Sequence, residues 1–290
     1  MRLPAVGCTD PMRAADVPAS THRTEVELGA RFEFGENWAR FLRGLTEERI
    51  AAAEGSLREM LGVERLDDRS FLDIGCGSGL FSLAARRLGA QVLSFDFDPR
   101  SVGCAQSLRD RYFPGDEGWR ICEGSALDES FMTRLGRHDV VYSWGVLHHT
   151  GQMHQGLSLA ARAVRTGGQA FIAIYNDQGW ISRYWTGVKR LYNGSVLGRV
   201  AMIALHAPYL YAARAMFRVI ARKGRLERGM SIWHDMLDWL GGYPFEVAKP
   251  EEIFGFFRER GFALERLRTC GGRMGCNEFV LRRERDVDLP

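Results

Sequence analysis

Three glycines at alternate positions, Gly75, Gly77 and Gly79, separate the short apolar run Ser70-Phe71-Leu72-Asp73-Ile74 from a helix-periodic stretch that begins at Leu80. Glycine lets the chain turn tightly there and lets a ligand approach the backbone, because no Cβ stands in the way. The N-terminus of the following helix adds unpaired N–H groups and a partial positive charge, which suit an anionic or carboxylate-bearing ligand. The spacing is not the nicotinamide-dinucleotide fingerprint G-x-G-x-x-G: the third glycine comes one residue early, and Leu80 stands in its place. Asp73 precedes the loop. Asp96 closes the next apolar run, Gln91-Val92-Leu93-Ser94-Phe95-Asp96, where a carboxylate can accept both hydroxyls of a ribose.

A second group of reactive side chains follows. Trp144-Gly145-Val146-Leu147-His148-His149 comes directly after the apolar run Asp139-Val140-Val141-Tyr142-Ser143, at the sheet edge where open α/β folds bind ligands. His148 or His149 can take a proton from a hydroxyl acceptor, since an imidazole titrates near neutrality; equally, a hydrogen bond that pins the loop would account for either. Tyr175-Asn176-Asp177 ends another strand and either faces an acceptor or caps a helix. His234 is a further candidate base beside Trp233, Trp239 and Tyr243, but Asp235 next to it cannot face it on one helix. Cys270 and Cys276 flank a glycine-rich link with no third or fourth ligand in range, so a metal site is not expected.

These residues need elements to hold them. Strands are expected at 70–74, 91–96, 119–123, 139–143 and 168–175, alternating with helices at 80–88, 101–111 and from the fourth strand to about 164. That rhythm implies right-handed crossovers and a parallel sheet covered on both faces. A helical pattern over 36–66 precedes it. An aromatic-rich helical stretch over 176–245 interrupts it, with a hinge-like break at Gly241-Gly242-Tyr243-Pro244. A helix at 250–261 and an antiparallel hairpin, 262–269 with 277–283, complete the chain.

Composition bounds the rest. The chain of 290 residues is 46% hydrophobic and 26% charged, within the globular range, and its net charge of +3 is too small for a nucleic-acid coat. All basic residues but Lys189, Lys223 and Lys249 are arginine. The six scattered cysteines read as reduced thiols of a cytoplasmic protein. Three prolines break the N-terminal twenty residues, which lack the apolar run of a signal peptide. The uncharged stretch 200–213 is too short to span a bilayer and is broken by Pro208, so it reads as a buried or interfacial helix pair. Arg214, Arg218 and Arg222 share one helix face; a solvated surface is one reading, and attraction of anionic lipid, RNA phosphate or an acidic substrate is another.

Glycine loop, preceding Asp, second-strand Asp and strand–helix rhythm together resemble the class I S-adenosylmethionine-dependent methyltransferases, closely over 68–175 and loosely over 250–283. The Leu147-His148-His149 run resembles that of the ubiquinone-pathway-like small-molecule members. The resemblance implies a Rossmann-like seven-stranded, mostly parallel α/β sheet with a C-terminal antiparallel hairpin and a helical lid insertion. It implies S-adenosyl-L-methionine as cofactor, with Asp73, Gly75, Cys76, Gly77 and Gly79 bordering its methionine part and Asp96 holding its ribose. Phe97 would lie against the adenine, and Ser125 and Ala126 would reach its amino edge. Many family members carry Asp where Ser125 stands, a role Asp128 would take here; Trp144 completes the set. The expected organisation is a flexible arm (1–28), a helical cap (29–66), the cofactor-binding core (67–175), a helical lid (176–245) and the end of the core sheet (246–285). The expected activity is methyl transfer to an O, N or S nucleophile of a small molecule enclosed by the lid. The alternatives are an RNA methyltransferase, for instance on a tRNA base, that uses the arginine stripe, and a non-catalytic cofactor-binding module. Nucleic acid is not the expected partner; a peripheral membrane contact and a homo-oligomer through the insertion remain open.

Overall fold

The computed structural model describes residues 19–221 and 232–287. Strands Ser70–Ile74 (β1), Gln91–Asp96 (β2), Trp119–Glu123 (β3), His138–Trp144 (β4), Val164–Tyr175 (β5), Phe262–Arg268 (β6) and Cys276–Arg283 (β7) form one sheet in the order β3-β2-β1-β4-β5-β7-β6. Strands β1 to β5 run parallel, and β7 runs antiparallel to β5 and β6 on either side of it. Because the chain moves outward from β1 to β3 and then returns to the other side at β4, a crevice opens between the C-terminal ends of β1 and β4.

The described helices before the lid are Ala19–Glu27 (α1), Gly35–Arg43 (α2), Glu47–Leu61 (α3), Leu80–Arg87 (α4), Pro99–Tyr112 (α5), Glu129–Leu135 (α6) and Met153–Arg162 (α7). Trp180–Gly194 (α8), Val196–Ala221 (α9) and Ile232–Gly241 (α10) make up the insertion, and Pro250–Glu259 (α11) follows it. Side chains alternate across the strands, and both faces are covered. Phe71, Val92, Trp119, Val140 and Phe171 pack with Ile50, Leu57 and Leu83 on one face; Leu72, Ile74, Phe95 and Ile172 pack with Phe131, Leu157 and Phe257 on the other. Trp185, Val188, Tyr192, Leu210, Met236, Leu240 and Phe245 build a third, separate apolar cluster inside the insertion.

Sheet order, hairpin and insertion agree with the sequence expectations, and several local features differ. The arm expected to run through residue 28 contains helix α1, held by His22, which packs edge-on against Phe97. The rest of that segment, 1–18, lies outside the described residues. The pattern over 36–66 is two helices, because the chain breaks at Gly44 and restarts at Thr46, the N-cap of α3. Helix α6 was not foreseen; Asp128 nucleates it by accepting from Phe131 N at 3.0 Å. Pro208 does not break the 200–213 stretch into a pair, since α9 runs through it. A proline removes one backbone donor, and packing of Leu210 and its neighbours into the lid cluster outweighs that loss. No helix among the described residues is long and apolar enough to cross a membrane.

Phe171 sits buried in mid-β5, its ring 5.1 Å from that of Tyr142 at a right angle. Phe171→Ala is expected to cost ~3–5 kcal/mol, seen as a lower urea midpoint at unchanged slope.

Candidate active site

The glycine loop sits at the mouth of the crevice, and two of its glycines are demanded by close neighbours. At Gly75, with φ of +73°, an added Cβ would stand 2.4 Å from Val146 of the loop after β4. At Gly77, with φ of +53°, it would stand 2.9 Å from the Trp38 indole. Both positions lie in the left-handed region that side chains avoid. Gly79 opens helix α4.

Asp96 braces this loop from the end of β2: one carboxylate oxygen accepts from Gly77 N and the other from Asp98 N, at 2.8 and 2.9 Å. Burial pushes its pKa up to about 6, against the pull of those N–H groups. Each oxygen retains a further lone pair for a ligand hydroxyl. Asp73 is more deeply enclosed and accepts from the Ser82 hydroxyl at 2.5 Å, which ties β1 to α4. Burial raises its pKa to about 7. The Cys76 thiol is buried beside both carboxylates and held well above its ordinary pKa, so it stays a neutral thiol. Gly124 N donates to the Asp96 carbonyl and places Ser125 and Ala126 after β3 next to the end of β2. Ser125 Oγ accepts from Leu127 N, while Asp128 is committed to capping α6, where its carboxylate holds the Phe131 N–H and the Ser130 hydroxyl. Trp144 Nε1 donates to Glu278 on β7 at 3.0 Å.

A roof over this end comes from the N-terminal helices, and its key residue, Arg31, was not foreseen. Gly35 N donates to Asp98 Oδ2 at 2.8 Å, anchoring the start of α2 above the turn after β2. The Arg31 guanidinium lies 5.0 Å from the centre of the Phe97 ring, pairs with Glu25 at 2.6 Å and donates to the His149 carbonyl at 3.1 Å. One side chain therefore joins the β2 end of the crevice to the loop after β4. Nothing in the local sequence marks it among 36 arginines; only its neighbours in space do.

On the other side, the structure brings together three of the four expected acceptor-side residues. The His148 and Tyr175 rings pack at a tilt with centres 4.1 Å apart, and Tyr175 N donates to His148 Nδ1 at 3.3 Å. The His149 ring lies 5.3 Å from Phe34 and 5.6 Å from Tyr175. His149 Nδ1 is 2.6 Å from the Pro244 carbonyl. A carbonyl only accepts, so the proton sits on Nδ1, and Nε2 keeps its lone pair. Burial, aided by the nearby charges of Lys189 and Arg31, pushes this imidazole down to about 3, although the Pro244 carbonyl acts the other way. Trp239 and Phe245 extend the aromatic wall beyond Tyr175. Lys189, also unforeseen, is buried there; its ammonium donates to the Trp239 carbonyl and lies 4.4 and 4.7 Å from the Trp239 and Phe245 rings. His234 falls on α10, but its side chain lies outside the described residues, as do those of Arg214 and Arg218 on α9 and all of Arg222.

The loop cradle that a Cβ would fill, the half-buried carboxylate at the end of β2 and the aromatic roof fit a nucleoside carrying an amino-acid tail. If Arg31 clamps the roof over such a ligand, Arg31→Ala is expected to raise the Kd for S-adenosylhomocysteine by about tenfold in calorimetry. Arg31→Lys should restore little, because an ammonium cannot make the planar, forked contacts of a guanidinium.

Comparison with known proteins agrees with this geometry. The methyltransferase-domain family matches residues 44–221. The ubiquinone biosynthesis O-methyltransferase of Methylobacterium sp. (strain 4-46) is 32% identical over 128 residues, 44% of this chain and 49% of that protein. The corresponding enzyme of Sinorhizobium medicae is 30% identical over 128 residues, 44% of this chain and 50% of its own. The chain thus matches about half the length of these curated relatives. Among solved structures, a methyltransferase of Methanococcus maripaludis superposes with a TM-score of 0.51 at 12% identity, over 89% of this chain and 97% of that one. A chain from the complex between the Haloferax volcanii Trm112 methyltransferase activator and a methyltransferase gives 0.51 at 14% identity, over 88% and 99%. These likenesses are of fold. With more than half of its length matched by the family, this chain belongs to the methyltransferase-domain family.

Proposed function

We propose that this enzyme methylates a hydroxyl, phenolic or catechol-like, on a small apolar molecule enclosed between the N-terminal roof and the helical insertion, in the cytoplasm. One observation carries the reading: His149 is a neutral imidazole with its proton committed to Pro244 and its other nitrogen basic, set between aromatic rings. The O-methyltransferase relatives, matched over about half their length, support it.

When bound, the cofactor supplies an electrophilic methyl group on a sulfonium whose positive charge is lost on transfer. In this reading Asp96 accepts the ribose hydroxyls, the Gly75–Gly79 backbone receives the methionine end, and Asp73 positions the loop through Ser82. The aromatic wall of Phe34, Tyr175, Trp239 and Phe245 excludes water and orients a flat acceptor. His149 receives the acceptor's proton at Nε2. A base of such low pKa suffices, because an oxygen gaining a methyl group becomes far more acidic than the free hydroxyl. A thiol, partly ionised near neutral pH, would need no such base.

His149→Ala is therefore expected to lower kcat on a catechol by ~10²–10⁴-fold while leaving S-adenosylhomocysteine affinity nearly unchanged. Equal loss of both would assign His149 to holding the loop instead. The pH dependence should divide in the same way. Hydroxyl donation favours the ionised form of Asp96, whose pKa is raised to about 6, so cofactor affinity should be full above that pH and fall as pH drops through it. Asp96→Asn should flatten this response in a calorimetric pH series. His149 stays neutral over the same range and should add no acid limb of its own to kcat.

A further inference from the structure

The insertion buries one side of its long helical hairpin and leaves the other apolar. Trp185, Val188, Lys189 and Tyr192 of α8 face inward. The outward stripe of α8 reads Trp180, Arg183, Tyr184, Arg190 and Leu191, and the outward rows of α9 read Leu197, Val200, Ala201, Ala204, Leu205 and Tyr209. Trp180 is 70% exposed, Leu197 80%, and Leu205 and Tyr209 66% each. A helix on a protein surface normally turns charged and polar residues to water. Here the outward face of α9 from 200 to 209 carries none. The charge is equally one-sided: residues 178–226 contain no Asp or Glu, and the described outward charges are Arg183, Arg190 and Arg199.

We propose that the outer face of the α8–α9 hairpin docks on an anionic lipid bilayer. Leu197, Val200 and Leu205 would enter the acyl boundary, and Trp180, Tyr184 and Tyr209 would lie at headgroup level, where amphipathic rings are most favourable. The arginines would reach outward along their stems to lipid phosphates. A second copy of the chain fits this face poorly. A two-fold interface is self-complementary, so it would set these arginines against their own equivalents with no acidic partner on the hairpin. A cavity of about 580 Å³ lined by Trp180, Tyr184, Tyr209, Arg273 and Met274 opens beside the same residues, so docking would bring its mouth to the membrane surface. The inference does not depend on the role of His149 or on the identity of the acceptor.

Co-sedimentation of the full chain with vesicles tests it. Binding to phosphatidylcholine vesicles containing phosphatidylglycerol should exceed binding to phosphatidylcholine alone by about tenfold or more. The double variant Leu197→Glu/Leu205→Glu should lose that binding while keeping S-adenosylhomocysteine affinity, which shows that the fold survives. In the unmodified chain, brominated phosphatidylglycerol should quench tryptophan fluorescence, and Trp180→Phe should remove much of that quenching, a readout that requires no disruptive substitution. Three results would overturn the proposal: no sedimentation with anionic vesicles, undiminished sedimentation of the double variant, or a concentration-dependent dimer abolished by Leu197→Glu in place of vesicle binding. Retention of a single-stranded RNA by a chain that ignores vesicles would overturn it as well.

Discussion

The pair of hydrogen bonds that Asp96 accepts from Gly77 and Asp98 organises the whole crevice. Parallel strands β1 and β2 deliver their C-terminal ends side by side, with Ile74 in register with Phe95. The turn after β1 must then fold back over the end of β2 without side chains in its path. A carboxylate at that point satisfies loop N–H groups that would otherwise face a partly dry cleft, where an unmade hydrogen bond costs ~1–3 kcal/mol. Desolvation keeps Asp96 closer to neutrality than an exposed aspartate. The loop and the β2 carboxylate are therefore one electrostatic unit.

Two independent bodies of sequence close around that unit. The N-terminal segment covers the β2 side, through His22 and Arg31 on Phe97, Gly35 on Asp98 and Trp38 on Gly77. The insertion covers the β5 side, through Trp239 and Phe245 on Tyr175. The two meet directly: Phe32 N donates to the Tyr243 carbonyl at 2.9 Å, and the Phe32 ring fills the space over Gly241 where a Cβ would stand. Lys189 illustrates the cost of such closure. A buried ammonium is expensive, and here the Trp239 carbonyl and two ring faces offset the lost hydration. Burial chiefly keeps the neighbouring His149 neutral, and the charges of Lys189 and Arg31 add to it.

The parts of the protein that local chemistry dictates were legible along the chain. Strand β3 was readable at both ends from Trp119 to Glu123, since a short apolar run between turn residues has few other fates. Sheet class followed from alternation of strands and helices, and the glycine spacing with Asp96 separated this loop from dinucleotide-binding ones. Short or amphiphilic pieces were harder. Helix α6 is seven residues long, too short to show a period, and the break between α2 and α3 lies in a stretch whose apolar residues, Phe41, Leu42, Leu45 and Ile50, recur at near-helical spacing across it. The continuity of α9 through Pro208 depends on packing that no local propensity reports.

The sequence by itself determined the strand–helix order, the glycine turn with its carboxylate and the family of the chain, because each rests on contacts between residues close in sequence or on backbone rules tied to residue type. The tertiary structure alone decided that Arg31 links Phe97 to His149, that the Pro244 carbonyl selects the His149 tautomer from 95 residues away, and that Lys189 enters an aromatic cage. It also decided which side of the insertion turns outward. Those outcomes come from where separate elements pack against one another, and pairwise distances between remote residues are set by the fold, not by any stretch of sequence on its own.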